Sequence, residues 1–238
     1  MGMDHHEFAG LAAALVSMLG YPIYLLDFLG PGTAPLRRRM FRALGLRGGT
    51  APRLASWAIW AAVQGVIFTG ARAQGATATN LLPLAYFVGC VTVTAAAARV
   101  GTRDVGRLDV VCFALAVVSL GLLVVVDDPV SALVLAIGTD TIAGVPTLVA
   151  VWRNPRSESL AGWVCFLTGA GLNFFALSSL DPRTWSIETA GYTIVVVAQQ
   201  LFVVTRIILA PKHVRDGPAE GSAARVMHRG STGEAPDK

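Results

Sequence analysis

Charge is scarce in this sequence: 14% of its 238 residues are charged, whereas 54% are hydrophobic. A soluble domain carries about 25% charged residues, so the shortage excludes an ordinary soluble fold. A lipid bilayer accepts long apolar segments with few charges, and we therefore expect a membrane protein surrounded by the lipid bilayer. In such a chain the formal net charge of +4 does not indicate nucleic-acid binding.

Lysine and histidine are missing from the apolar part of the chain. The two lysines, Lys212 and Lys238, lie near the C-terminus, which excludes a retinal Schiff base within a helix. The three cysteines show neither a disulfide nor a metal spacing, and no nucleophile–base pair or phosphate loop is found. We therefore predict that the protein is not an enzyme and holds no cofactor or metal. The four histidines lie in the terminal segments: His5, His6, His213 and His228.

Seven apolar segments divide the chain. Each approaches the roughly 20 residues that cross a bilayer as a helix, and within lipid the backbone must satisfy its own hydrogen bonds. We therefore predict an all-α polytopic membrane protein with seven transmembrane helices. The segments run roughly over 7–29, 53–71, 79–99, 108–126, 129–152, 160–180 and 185–209.

Basic residues fall on alternate connections between these segments. Of the 19 lysines and arginines, all but Arg72 and Arg183 lie on the first, third and fifth connections or at the C-terminal end. Cytoplasmic loops carry the excess of Lys and Arg, which predicts an outside N-terminus and a cytoplasmic C-terminus. No basic residue precedes the first apolar run, so we expect no cleavable signal peptide. A bacterial plasma membrane is the expected location.

The Arg-rich first connection, 30–52, has two interpretations. It is either a short amphipathic helix on anionic lipid or a solvated loop that only enforces topology. The tail, 211–238, is polar and rich in Gly, Pro, Ala and Ser, and we predict that it is disordered because it cannot bury a core.

An internal repeat is visible when Trp57 is aligned with Trp163. Residues 65–68, Gly-Val-Ile-Phe, then fall on 171–174, Gly-Leu-Asn-Phe. A proline precedes each tryptophan near the end of the preceding helix, at Pro22 and Pro146. Chance similarity of two apolar hairpins is the alternative explanation.

The repeat predicts how the chain is organised. Helices 1–3 (1–106) repeat as helices 5–7 (128–210), joined by a linker helix (107–127). A linker with an odd number of crossings is required, because three crossings leave the chain on the opposite side of the membrane from where it started. Repeats related by an axis along the membrane normal are a known transporter plan, with the substrate bound at the repeat interface near the midplane.

These motifs resemble the PQ-loop superfamily, which includes the SWEET sugar transporters, their half-size SemiSWEET relatives and lysosomal amino-acid exporters. The shared features are the helix-end proline, a basic polar turn with a serine, and a Ser-Trp or Gly-Trp pair that opens the next helix. The resemblance spans Ala12–Leu209 and implies a 3-1-3 carrier fold. Both prolines lack the family's following glutamine, since the pairs are Pro22-Ile23 and Pro146-Thr147; the first connection also carries an insertion.

The resemblance also implies substrate contacts. By analogy, Asn80 in helix 3 and Glu188 in helix 7 would face each other across the pseudo-twofold axis and touch the substrate. An acid where the family has an amide favours a cationic or amine-bearing solute, or proton coupling, over a neutral sugar.

Asp140 is the sharpest candidate among single residues, because it lies about midway along helix 5. An aspartate at the bilayer centre costs about 2.5–3.5 kcal/mol on insertion scales, so we expect it to face the bundle interior. Burial disfavours a charged carboxylate, which suits a proton-coupling site. The alternative is a structural aspartate that bonds neighbouring threonines or a facing glutamine.

Three amides are predicted at a similar depth: Gln64, Asn173 and Gln199. With Asp140 they form a polar belt suited to a polar solute, although each alone is also typical of interhelical hydrogen bonding. Gln200 points about 100° away from Gln199, so we do not expect both to line one cavity.

Prolines and tryptophans near the helix ends complete the candidate set. Pro22 and Pro146 remove a backbone hydrogen bond and are predicted hinges of a gate, or are simply tolerated near helix ends. Trp57 and Trp163 belong either to the interfacial aromatic belt or to the gate.

The function predicted from these features is alternating-access transport of a small polar solute such as a sugar, an amino acid or a vitamin-like compound. Proton coupling through Asp140 is a further expectation, and homo-oligomerisation is left open. The alternative is a seven-helix receptor or accessory subunit that binds a ligand or protein without transport. A lipid-acting enzyme finds support only in the acidic pair Asp127-Asp128 and in Asp140.

Overall fold

The computed structural model describes residues 5–73, 81–100, 106–126, 128–177 and 190–211, which are helical almost throughout. The all-α class predicted from the sequence is confirmed. Two 3₁₀ turns, Pro155–Ser157 and Asn173–Ala176, flank α7. The helices are α1 His5–Leu29, α2 Pro35–Ala43, α3 Leu54–Ala73, α4 Leu81–Val100, α5 Arg107–Val125, α6 Pro129–Arg153, α7 Leu160–Leu172 and α8 Tyr192–Ile208.

Three of these helices are long and apolar enough to cross a membrane: α1, α4 and α6 from Val130. Shorter apolar helical stretches cover Leu54–Thr69, Leu160–Ala176 and Tyr192–Ile208. Helices of membrane-spanning length and composition are therefore present, as the sequence predicts.

Helix starts follow local capping chemistry. The Asp128 carboxylate accepts the Ser131 backbone N–H at 2.7 Å, and Pro129 occupies the first position of α6, where no N–H is needed. At α5, the Asp109 carboxylate accepts the Gly106 N–H at 2.8 Å. These caps explain why α5 and α6 begin where they do.

Six helices form a closed ring. α1 packs against α4 and α7; α3 packs against α4 and α6; and α8 packs against α6 and α7. α5 lies outside this ring, against α6 and α3. Each ring helix therefore has two ring neighbours and turns one face to a shared interior.

The connections before α3 and α7 meet at one end of the ring. The Asp27 carboxylate at the end of α1 accepts the backbone N–H of Arg47 and Gly48, at 3.1 and 2.8 Å, and the Thr50 hydroxyl at 3.0 Å. The Ala51 N–H donates to the Ser157 carbonyl at 2.8 Å. The first connection is thus folded onto the ring and contains the short helix α2.

Aromatic side chains fill the ring interior. Trp57 and Trp163 are only 2% and 5% exposed, so both side chains lie inside the ring and not on its outer surface. Trp57 packs edge-on against Trp60, with ring centroids 5.3 Å apart, and Trp163 packs likewise on Phe166 at 5.7 Å. Packed rings of this kind add stability beyond the area they bury.

Candidate functional site

A small cavity lies inside the ring and receives side chains from all six ring helices. Its volume is about 50 Å³. A single water needs roughly 10–15 Å³ by this measure, so the cavity has room for a few waters and not for a sugar or an amino acid. The lining residues are Tyr21, Trp57, Trp60, Gln64, Tyr86, Cys90, Asp140, Trp163, Phe166, Tyr192, Val196, Gln199 and Gln200.

One wall of the cavity is built around the carboxylate of Asp140, which is 4% exposed. The Gln64 amide on α3 donates to Oδ1 at 3.1 Å, and the Gln199 amide on α8 donates to Oδ2 at 3.4 Å. The structure thus brings together three of the residues singled out from the sequence. Two amide donors on separate helices hold this carboxylate inside the ring rather than facing the ring's outer surface.

Further hydrogen bonds orient this polar wall. The Tyr192 hydroxyl donates to Gln64 Oε1 at 2.8 Å, which leaves the Gln64 amide nitrogen directed at Asp140. The Trp60 indole N–H donates to the Asp140 backbone carbonyl at 3.1 Å. Sequence reasoning does not find these two hydrogen bonds, because nothing local shows that Tyr192 meets α3 or that Trp60 meets α6.

The opposite wall is aromatic. The Gln200 amide donates to the Tyr86 hydroxyl at 3.0 Å, and within the part of the chain that the structure describes Gln200 Oε1 has no hydrogen-bond partner. The Tyr21 hydroxyl donates to the Tyr86 carbonyl at 3.4 Å and lies 3.6 Å from Cys90 Sγ. Gln199 and Gln200 both line the cavity, against the expectation that only one would, because the two side chains diverge to opposite walls.

The remaining predicted residues lie elsewhere. Asn173 opens the 3₁₀ turn after α7 and donates to the Thr193 hydroxyl at 3.0 Å; it does not line the cavity. Asn80 and Glu188 lie outside the described residues. Their placement across a pseudo-twofold axis therefore stays a prediction.

Two glycines allow close helix contacts next to the predicted hinge prolines. Pro22 and Pro146 lie inside α1 and α6, each two residues after a glycine. A Cβ on Gly20 would lie 2.5 Å from Phe166, and one on Gly144 would lie 2.6 Å from Gln199 Oε1 and 3.4 Å from Trp60. The signal for these contacts is the repeated Gly-x-Pro tripeptide, which sequence reasoning missed.

Sequence reasoning also missed a further buried carboxyl group. Glu158, in the connection before α7, is 4% exposed, and its Oε2 accepts the Trp163 indole N–H at 2.8 Å. Burial raises the pKa of Glu158 to about 7, although the Trp163 indole, the Tyr24 hydroxyl and Arg53 act in the opposite direction. The available signal was an acid placed five residues before the tryptophan that opens α7.

No family model, curated protein or solved structure matches this chain. Within the described residues, no group of three or more His, Cys, Asp or Glu side chains is placed to hold a metal ion. The cavity offers one carboxylate, two amide side chains directed at it, and an aromatic wall. This arrangement suits binding of a polar molecule or a proton.

Proposed function

We propose that this protein is an integral membrane carrier of a small polar solute, which works by alternating access between two three-helix units. The first unit is α1, α3 and α4; the second is α6, α7 and α8; α5 is the linker. The observation that carries the proposal is the buried Asp140 carboxylate, held by amides in a cavity that both units line.

The packing order supports two equivalent units. Exchanging α1 with α6, α3 with α7, and α4 with α8 leaves the set of ring contacts unchanged. The contact between α3 and α6 becomes that between α7 and α1, which are the two seams between the units. α5 lies outside this exchange, as a linker would.

Matched side-chain contacts at the two seams support the same relation. Gly20 meets Phe166 across one seam, and Gly144 meets Trp60 across the other. The alignment of Trp57 with Trp163 also pairs Trp60 with Phe166. The same small-to-large contact therefore occurs twice, beside a proline in each case.

Seven crossings with a cytoplasmic C-terminus complete the proposal. Asp27 and Ser157 lie at one end of the helix ring. The starts of α3 and α5 lie at the same end, where the Arg53 guanidinium and the Asp109 carboxylate are 3.6 Å apart. Arginines are concentrated on the connections at this end. The positive-inside rule assigns such an end to the cytoplasm.

Hydrogen bonds across the seam suggest how binding is coupled to movement. The bonds from Gln64 and Trp60 to Asp140 join the two units, whereas the bond from Gln199 stays within the second unit. A solute that offers a donor to Asp140 replaces the Gln64 amide and frees the seam to open. The cavity of about 50 Å³ then belongs to a contracted, solute-free state that widens when the solute binds, and the prolines are the hinges.

The walls suggest the class of solute. Asp140, Gln64 and Gln199 match a hydroxyl- or amine-bearing edge, and the aromatic wall matches an apolar face. Sugars, amino acids and vitamin-like compounds have both. Proton coupling through Asp140 is part of the proposal, because a charged carboxylate is disfavoured in a closed interior.

Uptake into proteoliposomes tests the proposal. Purified protein is first screened by thermal shift against sugars, amino acids and vitamins, and hits are then supplied as labelled solutes with and without a pH gradient. Asp140→Asn should reduce uptake at least about tenfold, as expected when a hydrogen-bonded charged group at a site is lost, and should remove the dependence on the gradient.

Asp128→Asn is the matched control, since it neutralises an exposed acid on the same helix and keeps a capping side chain. Its uptake should equal that of the wild type. Folded Asp140→Asn protein with unchanged uptake and pH dependence would contradict the coupling role.

A receptor or accessory subunit is the second candidate, and α2 is the observation that favours it. Arg38, Arg39 and Arg42 are exposed on this short helix, where an acidic cytoplasmic partner could dock. A partner retained by the wild type, lost in the triple Arg→Gln variant, and accompanied by no flux in liposomes would support this candidate instead.

A further inference from the structure

Glu158 is a buried acid that the central cavity does not use. It lies between the 3₁₀ turn Pro155–Ser157 and α7, and it is 4% exposed. Oε2 accepts the Trp163 indole N–H at 2.8 Å, but Oε1 has no hydrogen-bond partner among the described residues. A buried carboxylate with an unsatisfied oxygen is costly, whereas a protonated one carries no charge.

Charged and titratable groups from several elements surround this acid. On α1, the Tyr24 hydroxyl lies beside it without meeting hydrogen-bond geometry, and Asp27 disfavours its charge; Arg53, before α3, favours that charge. Burial outweighs these effects and raises the pKa of Glu158 to about 7. Glu158 also lines a cavity of about 430 Å³ together with Asp27, Arg47, Arg156 and Cys165.

The first unit has no counterpart to this acid. Aligning Trp57 with Trp163 places Pro52 opposite Glu158. Among the described residues the Trp57 indole N–H accordingly meets no carboxylate and no hydrogen-bond partner of good geometry, whereas the Trp163 indole N–H donates to Glu158. The first unit buries Trp57 with a proline at the position of Glu158, so this connection and the helix after it can fold without a carboxyl group there.

We propose that the Glu158 carboxyl is a second proton-binding site, whose proton keeps α1 and α7 closed together at the cytoplasmic mouth of the carrier. This rests on the proposed function, which assigns that end to the cytoplasm. A proton from cytoplasmic water binds the unpartnered Oε1 and neutralises the buried acid. When the mouth opens, water hydrates the carboxylate and the proton returns to the cytoplasm.

The direction of the pH effect follows from linkage. The closed mouth raises the pKa of Glu158 to about 7, against an ordinary value of 4.5 for the hydrated group in an open mouth. The closed state therefore binds the proton more tightly. The free energy by which protonation of Glu158 favours the closed state is largest below about pH 4.5, declines as pH rises, and is lost above about pH 7. Raising the pH opens the mouth.

A native thiol reports on this opening. Cys165 is half-buried in the same cavity, and its Cβ lies 3.1 Å from the position of a Cβ on Gly20 of α1. Separation of α1 from α7 would expose it. Labelling of full-length protein by a water-soluble maleimide is followed for the Cys165 peptide by mass spectrometry. Dividing by the rate for unfolded chain at the same pH removes the ionisation of the thiol itself.

From pH 5 to pH 8 the normalised Cys165 rate of the wild type should rise at least about fivefold. Glu158→Gln, which keeps an acceptor for the Trp163 indole and stays neutral, should label slowly at both values. Asp128→Asn, a distant exposed acid, should behave as the wild type. Cys112 on α5 should show no pH-dependent change, which excludes general unfolding.

A wild-type rate that does not depend on pH, or one that Glu158→Gln reproduces at both values, overturns the proposal. If Glu158→Gln does not fold, Trp163→Phe carries the test. Loss of the indole donor should move the wild-type midpoint to higher pH, and an unchanged midpoint overturns the proposal. The labelling experiment needs no solute, so its outcome is independent of the uptake experiment. If uptake fails but Cys165 labelling still depends on pH, only the proposed carrier function is rejected. If uptake occurs but labelling does not depend on pH, only the Glu158 proposal is rejected.

Discussion

The two proposed units have matched packing but different chemistry. Gly20 beside Phe166 and Gly144 beside Trp60 repeat one contact in both seams. The ionisable groups do not repeat: Asp140 aligns with Val16 when the prolines are superposed, and Glu158 aligns with Pro52 when the tryptophans are. The difference suggests that helix packing needs the shared features and that Asp140 and Glu158 serve the task of the second unit.

The strongest test of this difference between the units places an acid in the first unit, at the position aligned with Asp140. Val16→Asp should destabilise the protein by about 2.5–3.5 kcal/mol, the insertion cost of an aspartate at mid-membrane depth, because it puts a carboxyl group where the chain has an apolar side chain. Val16→Asn is the matched control and should cost less. Thermal unfolding in detergent measures both; equal losses would mean that charge is not the cause.

Glu158 in the second unit should make the free energy of unfolding depend on pH. Folding raises the pKa of Glu158 to about 7 from an ordinary 4.5, so its contribution is fully favourable below about pH 4.5 and is lost as pH rises through 7. Wild-type protein should therefore gain of the order of 2 kcal/mol over Glu158→Gln between pH 8 and pH 5. Parallel melting curves for the two proteins would contradict this.

Enlarging either seam glycine should destabilise the protein, but to a different extent. Gly20→Ala should cost about 1–3 kcal/mol by overpacking against the Phe166 ring, and Gly144→Ala should cost less because its nearest atom is the movable end of Gln199. Gly138→Ala, with open space around it, should be stabilising by about 0.5–1 kcal/mol. If all three variants have the same melting temperature, the close contacts do not hold the seams.

The smallest effect concerns the linker. Arg53 and Asp109 lie 3.6 Å apart and join α3 to α5, with Arg53 a third exposed. Asp109→Asn keeps the cap on Gly106 but removes the charge, and should cost less than about 1 kcal/mol. The loss should shrink further in high salt, as for a screened ion pair; a salt-independent loss would point to the cap instead.

Part of the site can be predicted from the sequence. Polar side chains inside apolar segments avoid lipid, which indicates Asp140, Gln64 and Gln199, and these three side chains meet in the structure. Asn173 was selected on the same grounds but bonds Thr193 away from the cavity. Depth along a helix is readable from sequence, whereas the rotation of the helix is not, since one residue turns the side chain by about 100°.

The helical class and the membrane-length apolar helices can be predicted from the residues alone, because segment length and internal backbone bonding are local properties. Helix packing is needed to place Trp57 and Trp163 inside the ring, to orient Gln64 toward Asp140 through Tyr192, and to bury Glu158 against Trp163. Each of these depends on which helix faces join, and side chains distant in sequence settle that together.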